Sequence, residues 1–305
     1  MYFCIQMERM LTILGPTACG KTQLAISLAK MIDGEILSAD SRQVYRRMDI
    51  GTGKDLADYE NIPYHLIDIC EPGTKYTVYN FQHDFLEAYK QICARGKYPI
   101  MCGGSGLYLE SVLRAYRMSP VPVNEPLRKS LEEKTIEELI EILSSYRQLH
   151  NTTDTDTKKR AIRAIEIETY YREYPLGSTD FPQIDSLVVG LDVPRDVRRQ
   201  KISIRLRKRL EDGMIEEVQS LLDEGIPAEA LIYYGLEYKY VTEYVIGKIT
   251  YEEMVHSLEI AIHQFAKRQM TWFRGMERRG IKIYWLDYNL SSEAKVSAIM
   301  SLLQR

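Results

Sequence analysis

The chain has 305 residues, of which 45% are hydrophobic and 27% are charged, and its formal net charge is −3. This length and composition predict a globular protein with room for one α/β core and a smaller second domain. No run of 18 or more uncharged apolar residues occurs, so we expect no membrane-spanning helix. The five cysteines contain no C-x-x-C pair and the five histidines have no metal-ligand spacing, so we expect neither a disulfide framework nor a zinc site.

The distribution of charge leaves open whether the protein binds nucleic acid. The net charge is close to zero, but residues 195–209 contain eight basic side chains and a single acid, Asp196. A neutral average can therefore conceal a basic face. Residues 1–5 carry no basic segment followed by a long apolar stretch, so we expect no secretion signal and a cytoplasmic protein.

A phosphate-binding loop follows the first apolar segment. Residues 15–22 match G-x-x-x-x-G-K-[ST], between a predicted strand at 10–14 and a predicted helix at 23–30, so a chance match is disfavoured. The glycines would let backbone N–H groups approach phosphate oxygens at the positive end of the helix dipole. Lys21 would reach the terminal phosphate and the Thr22 hydroxyl would ligate Mg²⁺. The residues concerned are Gly15, Pro16, Thr17, Ala18, Cys19, Gly20, Lys21 and Thr22.

The remaining pattern predicts alternating strands and helices. Further strands are expected at 34–39, 98–102, 186–192 and 281–286, and helices at 80–95, 195–224 and 251–274. This alternation predicts a parallel sheet that binds ligands at the carboxyl ends of its strands. Three prolines and a purely helical pattern set residues 117–184 apart. The predicted fold is thus α/β, with a P-loop parallel-sheet core over 8–116 and 185–290 and a mainly helical insertion domain over 117–184.

Several polar positions near the predicted crevice have more than one interpretation. Asp40 follows the second strand and could be a general base, a water-mediated magnesium ligand or a turn residue. The turn containing Ser105 could bind a ligand through its backbone or only reverse the chain. The basic run at 156–163 suits either an RNA surface or a solvated helix face. The basic run at 261–274 suits either an RNA surface or a helix whose aromatic side is buried. Taken alone, these features also describe a small-molecule kinase.

Seven stretches together resemble the tRNA dimethylallyltransferase family, the tRNA isopentenyltransferases. They occur in the family's order and span about residues 10–286. Two are specific to this family, namely D-S-x-Q-V-Y at 40–45 and A-K-R-Q-x-T-W-F-R at 266–274. The seven stretches are 15–22, 38–45, 48–54, 65–68, 103–108, 156–166 and 264–274.

The resemblance implies transfer of a dimethylallyl group from dimethylallyl diphosphate to N6 of the adenosine 3′ of the tRNA anticodon, with Mg²⁺-diphosphate as leaving group. It implies that Asp40 is the general base and that Lys21 and Thr17 assist catalysis. It also implies that residues 15–22 and Lys239 bind the diphosphate and that Thr22 ligates the metal. The implied tRNA contacts are Asp40, Ser41, Arg42, Gln43, Ser105, Gly106, Arg128, Lys159, Arg160, Ala161, Ile162, Arg163, Lys267 and Arg268.

The expected partners are therefore the tRNA anticodon stem-loop and dimethylallyl diphosphate. We expect no association with a membrane, and we expect a monomer.

The chain departs from the family pattern at two positions. Glu237 precedes Tyr238-Lys239 where the family usually has glycine, and His263 stands where arginine is common.

Overall fold

The computed structural model describes residues 9–148, 153–174 and 181–304, so the expectation for residues 1–5 lies outside the described residues. The chain divides into two compact units. The first unit is the described part of Met1–Ala115 and Gln183–Arg305. The second unit, Tyr116–Pro182, comes from the segment for which the sequence predicts a helical insertion.

The first unit contains a six-stranded sheet in which every pair of neighbouring strands is parallel. Its strand order is β3-β2-β4-β1-β5-β6, which confirms the predicted α/β fold with a parallel core. The strands are β1 (Met10–Leu14), β2 (Gly34–Ala39), β3 (Tyr64–His65), β4 (Tyr98–Gly103), β5 (Ser186–Asp192) and β6 (Tyr284–Asp287).

Helices cover the sheet and bury it. All residues of β1, β2 and β4 are buried, as expected for a parallel sheet with both faces covered. The helices of the first unit are α1 (Lys21–Ile32), α2 (Val78–Ala94), α3 (Gly106–Leu113), α7 (Arg195–Glu211), α8 (Met214–Asp223), α9 (Ala228–Tyr234), α10 (Leu236–Val245), α11 (Tyr251–Arg278) and α12 (Ser292–Leu303). Those of the second unit are α4 (Glu125–Glu132), α5 (Ile136–Tyr146) and α6 (Lys158–Glu173). Within the described residues, none of these helices has the length and apolarity to cross a membrane.

The register of the central strands brings three loops together. Gly103 pairs with Leu14 on one side and with Ala39 on the other. The loops that follow β1, β2 and β4 therefore leave the sheet at the same edge. Gly103 is required for this approach, because a Cβ at that position would lie 2.2 Å from the carbonyl oxygen of Ala39.

For two elements the predicted boundaries were wrong. The single helix predicted over 195–224 is two helices, because Gly213 adopts a φ of 101°, in the left-handed region, and ends the helical run between α7 and α8. The final strand, predicted over 281–286, begins only at Tyr284. Helix α12 was not predicted, although it packs Val296 and Ile299 into the core cluster beside the sheet.

A buried carboxylate organises the second unit. Glu166 on α6 accepts hydrogen bonds from Arg128 Nε at 3.0 Å and Nη2 at 2.9 Å, from the backbone N–H of Asn124 at 2.6 Å, and from Arg163. Burial raises the pKa of this carboxyl, but these hydrogen bonds and charges outweigh it and bring the pKa to about 2. Glu166 therefore joins α4 and α6 above the apolar cluster of this unit, which includes Leu139.

We expect Glu166→Gln to lower the free energy of unfolding by about 1–3 kcal/mol at pH 7, because charge-assisted hydrogen bonds are lost from a buried site. Since the folded pKa lies below the ordinary value of 4.5, the carboxylate stabilises the protein above that value. The difference between wild type and variant should therefore shrink as the pH falls from 4.5 towards 2, as measured by urea unfolding. Glu133→Gln, at the exposed residue that follows α4, is the matched control, and a difference independent of pH would contradict this assignment.

Candidate active site

A cavity of about 490 Å³ opens in the first unit at the carboxyl edge of the sheet. The four residues expected to act in catalysis or to ligate the metal line it together, namely Thr17, Lys21, Thr22 and Asp40. Others that line it are Ser41, Arg42, Gln43, Gly51, Thr52, Gly53, Arg205, Arg209, Tyr234, Glu237, Lys239, Phe265, Arg268 and Gln269. The cavity thus combines a phosphate-binding loop, a carboxylate and several cations.

The loop between β1 and α1 is shaped to receive an anion. Ala18 and Gly20 have positive φ values of 60° and 88°, which turn the backbone at the start of α1. No side chain caps that helix end, so its first N–H groups remain available to a phosphate, favoured by the helix dipole. Gly15 is packed closely, since a Cβ there would lie 2.6 Å from the Sγ of Cys19.

Gln269 on α11 fastens the phosphate loop to the turn after β4. Its Oε1 accepts a hydrogen bond from the Thr17 N–H at 2.9 Å, and its Nε2 donates to the Gly104 carbonyl at 2.9 Å. The side chain is buried, and its bond to the Gly104 carbonyl is shielded from water, whereas the bond from the Thr17 N–H is partly buried. The sequence motif around Gln269 marks the helix but does not reveal this bridge.

Asp40 directly follows β2 and acts as a turn residue, one of the three interpretations that its sequence position allows. Its Oδ1 accepts a hydrogen bond from the Arg42 N–H at 2.9 Å, which stabilises the turn after the strand. Its other oxygen, Oδ2, has no hydrogen-bond partner among the residues that the structure describes. Because Asp40 also lines the cavity, that oxygen can accept a proton or a hydrogen bond from a ligand.

One buried and several partly exposed charges hold the glycine-rich loop over 48–54. Lys54, 1% exposed, donates to the Tyr45 carbonyl at 2.6 Å and to the carboxylates of Asp49 and Asp68. The half-buried Glu217 on α8 accepts from three successive backbone N–H groups at 2.7–3.1 Å, those of residues 49–51. Glu217 was not identified from the sequence, because it lies among other acids in the first turn of a helix.

The unusual Glu237 faces an arginine. Its Oε1 lies 3.1 Å from Nη1 of Arg209, which also donates to the Gly51 carbonyl at 3.2 Å. Burial raises the pKa of the Glu237 carboxyl and the Arg209 charge offsets only part of that rise. Gly235, two residues before Glu237, makes the turn between α9 and α10 with a φ of 76°. Glu237 thus braces the wall of the cavity through Arg209.

Only some of the expected tRNA contacts in the first unit line the cavity. Arg42 and Arg268 line the cavity, as does Lys239. Ser105 instead accepts a hydrogen bond from the Ser41 N–H at 2.9 Å, and a Cβ on Gly106 would lie 2.3 Å from the Trp272 ring. Lys267 and His263 line a different groove of about 1110 Å³ between α7 and α11.

In the second unit, the expected RNA contacts differ in exposure. Ala161 and Ile162 are buried in its apolar cluster, because helix α6 packs that face inward, and their assignment as tRNA contacts stays a prediction. Lys159 and Arg160 are exposed, and Arg160 pairs with Asp156 at 2.9 Å. Arg128 and Arg163 are half-buried against Glu166.

The residues present suit a magnesium ion carried by a diphosphate. Thr22 offers a hydroxyl at the cavity and Asp40 a carboxylate, and oxygen ligands are what Mg²⁺ prefers. Over 9–148, 153–174 and 181–304, no group of three or more His, Cys, Asp or Glu side chains could hold a metal by itself.

We expect Gln269→Leu to weaken the binding of inorganic diphosphate with magnesium about 5- to 30-fold, because the phosphate loop loses its tether, and the Thr17 N–H and the buried Gly104 carbonyl lose their partners. Isothermal titration calorimetry measures this effect. Gln219→Leu, an exposed glutamine on α8, should bind like wild type. Wild-type affinity in Gln269→Leu would show that the bridge does not organise the loop.

Comparison with known proteins identifies the family. The family model described as IPP transferase matches residues 43–276, and the model described as isopentenyl transferase matches residues 8–60. The chain is 62% identical to tRNA dimethylallyltransferase 2 of Phocaeicola vulgatus over 96% of this chain and 97% of that protein. It is 58% identical to tRNA dimethylallyltransferase 1 of Parabacteroides distasonis, with coverage of 96% and 97%.

A solved structure has the same fold. The crystal structure of the tRNA isopentenylpyrophosphate transferase of Bacillus halodurans superposes with a TM-score of 0.72 at 31% identity, covering 97% of this chain and 95% of that one. The chain therefore belongs to the tRNA isopentenyltransferase family and is a prenyltransferase enzyme.

Proposed function

We propose that this enzyme transfers the dimethylallyl group of dimethylallyl diphosphate to N6 of the adenosine 3′ of the anticodon in tRNA and releases diphosphate. The observation that carries the proposal is the single cavity in which Lys21 and Thr22 of the phosphate loop lie with Asp40 and Lys239. The names of the relatives, which are tRNA dimethylallyltransferases, support this substrate pair.

The proposed reaction is a displacement at the first carbon of the dimethylallyl group. N6 of the adenine forms the new bond to that carbon, the carbon–oxygen bond to the diphosphate breaks, and its electron pair leaves with the diphosphate. The proton of the amino group passes to the free Oδ2 of Asp40, which contributes on the order of 10²–10⁴-fold to the rate. The turn hydrogen bond from Arg42 to Oδ1 would fix the orientation of this carboxylate.

Charge develops on the departing diphosphate, so electrostatic stabilisation is the main task of the loop. Lys21, Lys239 and the N–H groups at the start of α1 would hold the diphosphate oxygens in place. A magnesium ion bound at Thr22 would neutralise part of the negative charge on the leaving group. The Gln269 bridge keeps Thr17 and the loop backbone oriented before the substrate arrives.

The acceptor must be a base that has left its stack, because the amino group of a stacked adenine cannot reach Asp40 in the cavity. Unpaired loops of RNA offer such bases, which favours an anticodon loop over a duplex. The exposed Lys159 and Arg160 of the second unit and Arg268 of the first provide charges for the phosphate backbone. We therefore expect tRNA binding to weaken steeply with rising salt.

Asp40→Asn tests the general base. We expect wild type to form isopentenyl-adenosine from dimethylallyl diphosphate, Mg²⁺ and unmodified tRNA, and the variant to lose on the order of 10²–10⁴-fold in kcat because the amide cannot accept the proton. Nucleoside mass spectrometry quantifies the product and a filter-binding assay measures tRNA affinity, which should change little. Asp58→Asn, outside the cavity lining, is the matched control, and full activity of Asp40→Asn would remove Asp40 as the base.

Other substrate classes predict different outcomes. A small-molecule kinase would consume ATP with an acceptor in the absence of tRNA. A protein that only binds RNA would retain tRNA, form no product and be indifferent to Lys21→Ala, whereas the proposed transferase should lose most of its activity in that variant. A transferase acting on free nucleotides would prenylate AMP in preference to tRNA.

A further inference from the structure

We propose that Tyr233 is a stacking platform for the nucleotide next to the target adenosine, with Lys75 beside it to bind the RNA backbone. The inference rests on the proposed function, since it assigns a contact for the same RNA substrate. Tyr233 lies at the end of α9, next to Tyr234 and Gly235, both of which line the cavity. None of the patterns described in the sequence singles it out.

The exposure of Tyr233 is unusual for its position. The side chain is 55% exposed, although the ring of the adjacent Tyr234 is 1% exposed. Tyr234 is fixed from several sides. Its hydroxyl accepts from the Gly73 N–H at 2.7 Å and donates to the Thr74 carbonyl at 2.9 Å, and its ring lies 4.4 Å from that of Tyr45, centroid to centroid. The exposed ring is thus mounted on a rigid support beside the cavity.

Cations flank this pair of rings. Nζ of Lys75 lies 5.8 Å from the centroid of the Tyr233 ring, and the guanidinium carbon of Arg42 lies 5.9 Å from that of Tyr234. The two ring centroids are 6.1 Å apart at an interplanar angle of 64°. An aromatic face with adjacent positive charges suits a single-stranded nucleic acid, because the base can stack while its phosphates meet the cations.

Extrusion of the target base explains why an aromatic platform next to the cavity would be useful. When the target base leaves the loop and enters the cavity, its neighbour loses a stacking partner. An exposed ring next to residues that line the cavity would replace that stacking, and its contribution would be realised only while the target base is inside. Tyr233 should therefore favour the extruded form of the RNA, and its loss should affect the RNA more than the isoprenoid donor.

The test uses the full-length enzyme and anticodon stem-loop RNAs. We expect Tyr233→Ala to raise KM for the RNA on the order of 10-fold, the range expected for one base–aromatic stack, while KM for dimethylallyl diphosphate stays within twofold. The unchanged donor KM also reports a folded active site. Tyr251→Ala, at a tyrosine that is 43% exposed and does not line the cavity, is the matched control and should leave both constants unchanged.

A double-mutant cycle separates stacking from a structural effect. Two RNAs each lack one base, either 5′ or 3′ of the target adenosine. On wild type, one of them should show a similarly raised KM, and that increase should be absent in Tyr233→Ala but present in Tyr233→Phe, which retains the ring. Two results would contradict the stacking platform. One is that, for both abasic RNAs, the KM increase from the missing base and the KM increase from Tyr233→Ala simply multiply. The other is an RNA KM for Tyr233→Ala equal to that of wild type.

Lys75→Gln tests the neighbouring charge. The slope of log Kd for the RNA against log salt should become shallower by about one, as expected for the loss of one phosphate contact. An unchanged slope would remove Lys75 from the platform. If wild type forms no prenylated RNA at all, the proposed function itself fails. If wild type and Tyr233→Ala turn over the RNA equally well, only the stacking platform fails.

Discussion

The architecture depends on the close approach of three neighbouring parallel strands at one edge of the sheet. Gly103 lies between Leu14 and Ala39 in register, and any side chain at that position would collide with the Ala39 carbonyl. This contact brings the phosphate loop after β1, Asp40 after β2 and the Gly104 turn after β4 into one small volume. Gln269 then joins the first and third of these loops by hydrogen bonds.

Charged side chains fix the rest of the site. The buried Lys54 and the half-buried Glu217 both hold the glycine-rich loop, each by several hydrogen bonds. Removing the carboxylates of Asp49 and Asp68 would leave the Lys54 charge uncompensated in a poorly solvated place, so that charge depends on its partners. This rigidity suits a catalyst that stabilises a departing diphosphate, because dipoles fixed in advance need no reorganisation during the reaction.

The sequence predicted the parallel core and the position of the phosphate loop because both leave local signals. Buried strands are short apolar runs, and the loop has a fixed spacing of glycine, lysine and threonine. It could not predict the break at Gly213, because a glycine inside a helical pattern is compatible with either continuation or a turn. Helix α12 has a weakly periodic apolar pattern and lay outside the predicted elements.

The site residues that the sequence missed act through long-range contacts. Gln269 is 252 positions from Thr17 and Glu217 is 166 positions from Gly51, so no local pattern reports these pairs. Tyr233 is missed for a different reason. An exposed tyrosine at a helix end is unremarkable until the fold sets it beside Tyr234 and the cavity. Conversely, Ala161 and Ile162 show that a family motif can include residues whose side chains belong to the core.

The central claim is that one cavity holds the diphosphate on the phosphate loop and directs the carboxylate of Asp40 at the adenine amino group. A crystal structure with an anticodon stem-loop, Mg²⁺ and an unreactive thio-diphosphate analogue of the donor tests it most directly. The account predicts diphosphate oxygens within hydrogen-bond distance of Lys21 and the N–H groups at the start of α1, and N6 within hydrogen-bond distance of Asp40 Oδ2. A diphosphate bound elsewhere, or an adenine with N6 turned away from Asp40, would contradict it.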